Sequence, residues 1–236
     1  MTTRRRVLLL NPPGRRRYLR DNYCSHVSKG RYVWPPQDLL VQSGLLVAHH
    51  DVEVLDCVAQ GVGPEECRQR VLRGGYDALV FVTGLACWQE DMPFLASLVR
   101  QGGFWTAASG DVLLHRGEQV RQKFGLPHAI LDDYATPELA AWLEHPVDGV
   151  RLGSLRAGGP WLSMPRPRHE LFPLARYHLP HLRAHPFASL LVGFGCPYRC
   201  RFCPFERLPY RLRPVDQVLE ELRALAGKPF PVLNDA

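Results

Sequence analysis

Three cysteines stand close together near the end of the chain, at Cys196, Cys200 and Cys203, in the spacing C-x3-C-x2-C. Thiolates are soft ligands that favour zinc or iron–sulfur clusters, and a compact run of cysteines on one loop can turn its sulfurs toward one centre. A closed structural zinc site needs four protein ligands, and neither a fourth cysteine nor an obvious histidine follows. The motif therefore predicts a metal site with three thiolate ligands.

The residues on both sides of the cysteines predict how the loop is held. Residues 188–192 form a short apolar run that predicts a strand, and Gly193 and Gly195 let the backbone come close to a cluster. Pro214 begins a helical pattern of apolar residues that Gly227 ends, and residues 229–233 predict a further strand. The cysteines thus follow the carboxyl end of a strand, where the active sites of strand–helix barrels lie.

The cysteine spacing, with aromatic Phe202 before the last cysteine and with Gly195 and Pro197 around the first, resembles the signature of the radical SAM superfamily. The resemblance implies that the three cysteines hold a 4Fe–4S cluster whose remaining iron binds S-adenosylmethionine, and that Phe202 lies beside this cofactor. It further implies an enzyme that cleaves S-adenosylmethionine reductively to a 5′-deoxyadenosyl radical. A flavodoxin or ferredoxin would be the reductant, and a small molecule the substrate.

A different interpretation of the same cysteines stays open. They are then unrelated thiols, or a zinc-binding or vestigial loop, on a non-catalytic module that binds a corrinoid or a nucleotide. Metal content separates the two interpretations, because a zinc site contains no sulfide.

Strand and helix patterns alternate through the residues before the cysteine motif. The predicted strands cover residues 6–11, 52–56, 77–84, 104–109 and 128–131. The predicted helices cover residues 36–49, 64–73, 91–101, 119–124 and 136–144. This alternation predicts a doubly wound parallel sheet, which is an α/β fold of the flavodoxin-like or Rossmann-like type.

Ligands of doubly wound sheets bind outside the carboxyl ends of the strands. The candidate cofactor-binding residues at these ends are Asn11, Pro12, Pro13, Thr83, Gly84, Ser109 and Gly110. After the first strand, Asn11-Pro12-Pro13-Gly14 stands where a dinucleotide-binding protein carries G-x-G-x-x-G. This difference argues against an ordinary NAD or FAD site.

A strand ending in Asn-Pro-Pro, placed ahead of the cysteine motif, resembles the cobalamin-binding domain of B12-dependent radical SAM proteins. The resemblance covers about residues 5–145 and implies cobalamin held by the strand-end loops, with methyl transfer through cobalt as a candidate reaction. The D-x-H-x-x-G motif of mutase-type members is absent, so the implied cobalamin has no histidine ligand from the protein. The alternative is a flavodoxin-like platform that binds no cobalamin.

Four arginines crowd the loop after the first strand, at Arg15, Arg16, Arg17 and Arg20. Guanidinium groups recognise phosphate in a bidentate manner, so this loop is a candidate contact for a nucleotide tail. A solvated loop explains the same residues equally well.

Changes in composition predict the domain boundaries. We expect a cobalamin-binding-like domain over residues 1–146, a linker rich in glycine and proline over residues 147–186, and the first part of a radical SAM domain over residues 187–236. The residues after Cys203 have room for one helix and one strand, whereas the family's barrel has several such units. We therefore expect a chain truncated within the catalytic barrel and a poor catalyst alone, or else a second polypeptide that completes the barrel.

Composition and charge constrain partners and location. The net charge is +6, but almost all basic residues are arginines, a bias that a GC-rich genome imposes, so the charge argues only weakly for a nucleic-acid partner. RNA modification is a third, weaker hypothesis. Seven cysteines, three of them clustered, indicate a reducing compartment. The apolar runs are far shorter than the ~20 residues of a membrane span, and we predict a cytoplasmic protein.

Overall fold

A six-stranded parallel sheet forms the centre of the N-terminal half in the computed structural model. The structure describes residues 4–21, 25–30, 32–153, 160–183, 187–198, 200–201, 203, 209–226 and 232–235. The strands of the sheet are β1 (Arg6–Asn11), β4 (Asp51–Asp56), β5 (Ala78–Val82), β6 (Trp105–Ser109), β7 (Ala129–Leu131) and β8 (Val150–Leu152). Their spatial order is β4-β1-β5-β6-β7-β8, and all neighbours pair in parallel.

This sheet confirms the prediction of a parallel α/β architecture. The chain passes from β1 to β4 on one side and then to β5 on the other, so the strand order reverses between β1 and β5. In doubly wound sheets, ligands bind at such a reversal, beyond the carboxyl ends of the strands. The strand β8 is an addition to the predicted sheet, since no strand was expected beyond residue 131 there.

Helices cover both faces of the sheet. They are α1 (Gln37–Val47), α2 (Cys57–Gln60), α3 (Pro64–Arg73), α4 (Trp88–Gly102), α5 (Asp111–Phe124) and α6 (Glu138–Glu144). Alternate residues of β1 face opposite sides: Val7 and Leu9 belong to one core cluster, and Leu8 and Leu10 to the other. Burial on both faces explains why this strand has an unbroken apolar run.

The C-terminal part contains one strand–helix–strand unit. It consists of β9 (Ala188–Leu191), α7 (Val215–Leu225) and β12 (Val232–Asp235), and β12 pairs with β9 in parallel. Between β9 and α7, β10 (Gly193–Phe194) and β11 (Arg211–Leu212) form a short antiparallel pair. The assignment of this unit as the start of a radical SAM barrel stays a prediction.

Two smaller features complete the description. The strands β2 (Tyr18–Leu19) and β3 (His26–Val27) form an antiparallel pair within the loop after β1, and short 3-10 turns lie at His169–Leu171 and Leu174–Arg176. In the described part of the chain, none of the helices combines the length and the apolar character that a membrane crossing requires.

Candidate functional site

The three cysteines of the motif lie just beyond β10. Cys196 and Cys203 are partly exposed, Cys200 is exposed, and all three are free thiols. Gly195, directly before Cys196, has a φ of +79°, a left-handed conformation that glycine adopts without strain. The backbone N–H of Cys203 donates to the carbonyl oxygen of Cys200 at 2.9 Å, which closes a turn between the last two cysteines.

Thiols are suitable ligands for an iron–sulfur cluster, but in this structure the three cysteines are not gathered around one point. The free thiols are accessible to an incoming metal and sulfide. However, within the described ranges no group of three or more histidine, cysteine, aspartate or glutamate side chains lies close enough together to hold a metal ion. Phe202, the predicted contact of the bound cofactor, lies outside the described residues.

The strand that leads to the cysteines is packed against the carboxyl edge of the sheet. Phe194 is buried, and its ring lies 5.2 Å from the ring of Tyr134, in the loop after β7. The guanidinium of Arg211 stacks on the ring of Phe194, with 4.5 Å between its central carbon and the ring centre. Arg211 also forms a buried ion pair with Asp133, with 2.6 Å between Nη2 and Oδ2. The cysteine loop therefore begins at the sheet edge where ligands of such folds bind.

Helix α1 takes part in the same contact. Its residues Val41 and Leu45 belong to a buried cluster with Tyr134, Leu191 and Phe194. The opposite side of the helix packs on the sheet, so α1 is buried between the sheet and the strand that precedes the cysteines. Hydrophobic burial on two sides fixes the position of this strand relative to the sheet.

The seven predicted cofactor residues come together at the carboxyl edge of the sheet. Their polar side chains, however, form hydrogen bonds with other residues of the protein. Thr83 Oγ1 donates to the Asp91 carboxylate at 2.8 Å. Arg20 donates two hydrogen bonds to the same carboxylate, from Nη2 at 2.6 Å and from Nε at 2.9 Å, and both side chains are fully buried. Burial lowers the pKa of Arg20, but the charge and hydrogen bonds of Asp91 outweigh this effect and raise that pKa overall.

Asn11, at the end of β1, extends this hydrogen-bond network to Asp56. Its Oδ1 accepts from Arg20 at 3.1 Å, and its Nδ2 donates to Asp56 Oδ1 at 2.8 Å. The hydroxyl of Tyr177 donates to Asp56 Oδ2 at 3.1 Å. Complete burial is the main cause that raises the pKa of Asp56, although these hydrogen bonds act in the opposite direction. Arg20 is thus a buried structural cation and not the phosphate contact proposed from the sequence.

The remaining predicted residues are equally enclosed. Ser109 Oγ donates to Asp38 on α1 at 2.5 Å, and Pro12 and Pro13 are buried. A Cβ atom at Gly110, whose φ is +142°, would lie 1.9 Å from the Thr83 carbonyl oxygen, and one at Gly84 would meet the Ser25 side chain at 2.1 Å. Both glycines are required by close packing inside the protein.

Two buried amides on α1 were not predicted as site residues. The Nε2 and Oε1 atoms of both Gln37 and Gln42 are buried and have no hydrogen-bond partner among the described residues. Such groups are costly unless a water molecule or a ligand satisfies them. Their sequence signal is weak, because a glutamine in an otherwise apolar helix is usually an exposed residue.

Comparisons with known proteins give limited matches. No family model matches the chain. The chain is 25% identical over 196 residues to a protein from Synechocystis sp. named as an uncharacterized methyltransferase, a match that covers 81% of this chain and 34% of that protein. It is 38% identical over 60 residues to ribosomal protein uS12 methylthiotransferase RimO of Pelobacter propionicus, which covers 24% of this chain and 13% of the relative. The chain therefore spans about a third of the length of the first relative, and less of the second.

Proposed function

We propose that this chain carries the cluster-binding loop of a radical SAM enzyme of methyl-transfer chemistry. The observation that carries the proposal is the set of free thiols at Cys196, Cys200 and Cys203, which follow a buried strand packed on the carboxyl edge of a parallel sheet. The names of the two relatives, a methyltransferase and a methylthiotransferase, support transfer of a methyl or methylthio group.

In this proposal the three motif cysteines would hold a 4Fe–4S cluster, which would bind S-adenosylmethionine. When bound, the cluster supplies the electron for reductive cleavage of S-adenosylmethionine. The residues of this chain position the loop: Gly195 allows the backbone to turn before Cys196, while Phe194 and Arg211 attach the preceding strand to the sheet. A flavodoxin or ferredoxin is the proposed source of the electron.

Cobalamin has a weaker case. The strand-end side chains of Asn11, Thr83 and Ser109 are hydrogen-bonded inside the protein and fit a corrinoid poorly in this conformation. The predicted residues therefore do not fit cobalamin.

Anaerobic reconstitution with iron and sulfide tests the cluster. We expect the wild-type chain to bind about four iron atoms and to become brown. The variant C196A/C200A/C203A should remain colourless. The matched control C57A/C67A/C87A removes three thiols that lie elsewhere in the fold, and it should still bind iron; circular dichroism checks that both variants are folded.

Two results would count against the proposal. Equal iron and sulfide content in the motif variant and the wild type would exclude these cysteines as ligands. Zinc without sulfide would favour the alternative, a non-catalytic module with a zinc-binding loop. For a cluster that does form, addition of S-adenosylmethionine should change the electron paramagnetic resonance spectrum of the reduced state, and an unchanged spectrum would refute its binding.

A further inference from the structure

A cleft of about 270 Å³ lies beside the loop after β1. Arg15, Arg16 and Arg17 line one part of it, and Gly61 and Gly63, between α2 and α3, line another. We call this feature the arginine cleft. It lies beyond the carboxyl ends of two neighbouring strands, β1 and β4, on one side of the point where the strand order reverses.

The described residues that line the arginine cleft carry positive charge and no negative charge. All three arginines are exposed, and in the part of the chain that the structure describes none of them forms a side-chain ion pair. Among the described residues that line the cleft there is no aspartate or glutamate. Cys57, which does line it, remains a neutral thiol because a hydrogen bond with Cys67 and burial raise its pKa. The cleft is therefore suited to an anion.

The glycines leave the backbone open on the other side of the cleft. Gly61 has a φ of +69°, and a Cβ atom built at Gly61 or Gly63 would meet nothing within 4 Å. A ligand can therefore approach this backbone without meeting a side chain. Guanidinium groups on one side and accessible backbone on the other are a combination that suits phosphate oxygens.

A larger cleft of about 670 Å³ lies on the other side of the same loop and shares Arg15 with the arginine cleft. Trp88 and Arg116 line it, next to the residues that follow β5. Glu90, the one carboxylate among its described lining residues, accepts hydrogen bonds from the hydroxyl of Tyr18 and from the backbone N–H of Arg15. An aromatic group therefore fits the larger cleft, whereas a phosphate fits the arginine cleft.

We propose that these two clefts bind a nucleoside phosphate, with its phosphate among Arg15, Arg16 and Arg17 and its base in the larger cleft beside Trp88. The three arginines that would hold the phosphate lie next to one another on one loop, which favours a small ligand over an RNA strand. The proposal goes beyond the cluster chemistry proposed above and requires no bound iron. The two proposals can fail independently, because the binding test uses the chain without a cluster.

Isothermal titration calorimetry with ADP, pyrophosphate and adenosine tests this site on the full chain. ADP should bind saturably and more tightly than pyrophosphate or adenosine, since it occupies both clefts. The variant R15Q/R16Q/R17Q should bind ADP about tenfold more weakly or worse. The control variant R73Q/R100Q/R223Q loses the same charge at exposed arginines outside the clefts, and its affinity should stay within about twofold of the wild type.

The proposal is overturned if ADP shows no saturable binding, or if the two triple variants bind it equally well. Fluorescence anisotropy with a single-stranded RNA oligomer tests whether the arginines bind RNA instead of a small ligand. RNA binding that depends on the three arginines, without ADP binding, would replace the small ligand by a polymer. Because the three arginines are exposed, the thermal midpoints of all three proteins should agree, which separates lost binding from lost folding.

Discussion

Replacement of Asp91 by alanine should destabilise the protein strongly. Asp91 accepts two hydrogen bonds from Arg20 and one from Thr83, and the ion-paired side chains are 0% exposed. Without Asp91, the guanidinium of Arg20 remains buried and loses the carboxylate with which it pairs. Removal of one partner of a buried ion pair typically costs about 3–5 kcal/mol in the free energy of unfolding.

A surface pair provides the matched control. Asp51 pairs with Arg4 at 2.5 Å, but these side chains are 60% and 54% exposed. Solvent screens this pair, so D51A should cost no more than about 1 kcal/mol. For a chain of this size, about 2–4 °C per kcal/mol predicts that D91A lowers the thermal midpoint by about 6–20 °C.

Urea unfolding followed by circular dichroism measures both variants. Equal losses for D91A and D51A would refute the argument that burial makes the Arg20 pair critical. A second variant, R20M/D91L, removes both charges and replaces them by apolar side chains. It should recover most of the loss, because the uncompensated charge and not the missing contact is the main cost.

Three further changes test other parts of the fold. G110A should lower the free energy of unfolding in urea by about 3 kcal/mol or more, because its Cβ would meet the Thr83 carbonyl. G61A has open space around the new Cβ and only the φ of +69° to oppose it, so it should cost about 1–2 kcal/mol. Equal costs would contradict the packing argument. Burial raises the pKa of Asp56 above its ordinary 3.8, so folding favours the neutral carboxyl group. The stability of the wild type relative to D56N should therefore fall as the pH rises above about 3.8. A stability difference that does not change with pH would refute this. F194A should cost about 3–5 kcal/mol and accelerate hydrogen exchange in β9, whereas unchanged protection there would show that Phe194 does not hold the strand.

Much of the sheet could be predicted because its strands are buried on both faces. Apolar runs such as Ala78–Val82 have few alternatives to a central parallel strand. The three-residue strand Val150–Leu152 could not be recognised, because it is short and contains an arginine. Helix α5 was predicted only from residue 119, whereas it begins at Asp111; the non-helical conformation of Arg116 interrupts its periodicity.

The positions of the candidate site residues followed from topology, but their partners did not. Parallel strands place Asn11, Thr83 and Ser109 at one edge, which the order of strands and helices already implies. The pairing of Arg20 with Asp91 joins residues that are 71 positions apart, and no local pattern distinguishes a buried paired arginine from an exposed one. Position in the loop alone therefore placed Arg20 with Arg15, Arg16 and Arg17, although of these four only the last three line the arginine cleft.

The contact between β10 and the sheet edge relates the cysteine loop to the rest of the fold. Phe194 lies between Tyr134 of the sheet edge and Arg211 of β11, and Arg211 in turn pairs with Asp133. These residues come from two parts of the chain about 60 or more positions apart, so the contact depends on the tertiary fold of both. Because Phe194 is only two residues before Cys196, its packing against Tyr134 sets where the cysteine loop begins.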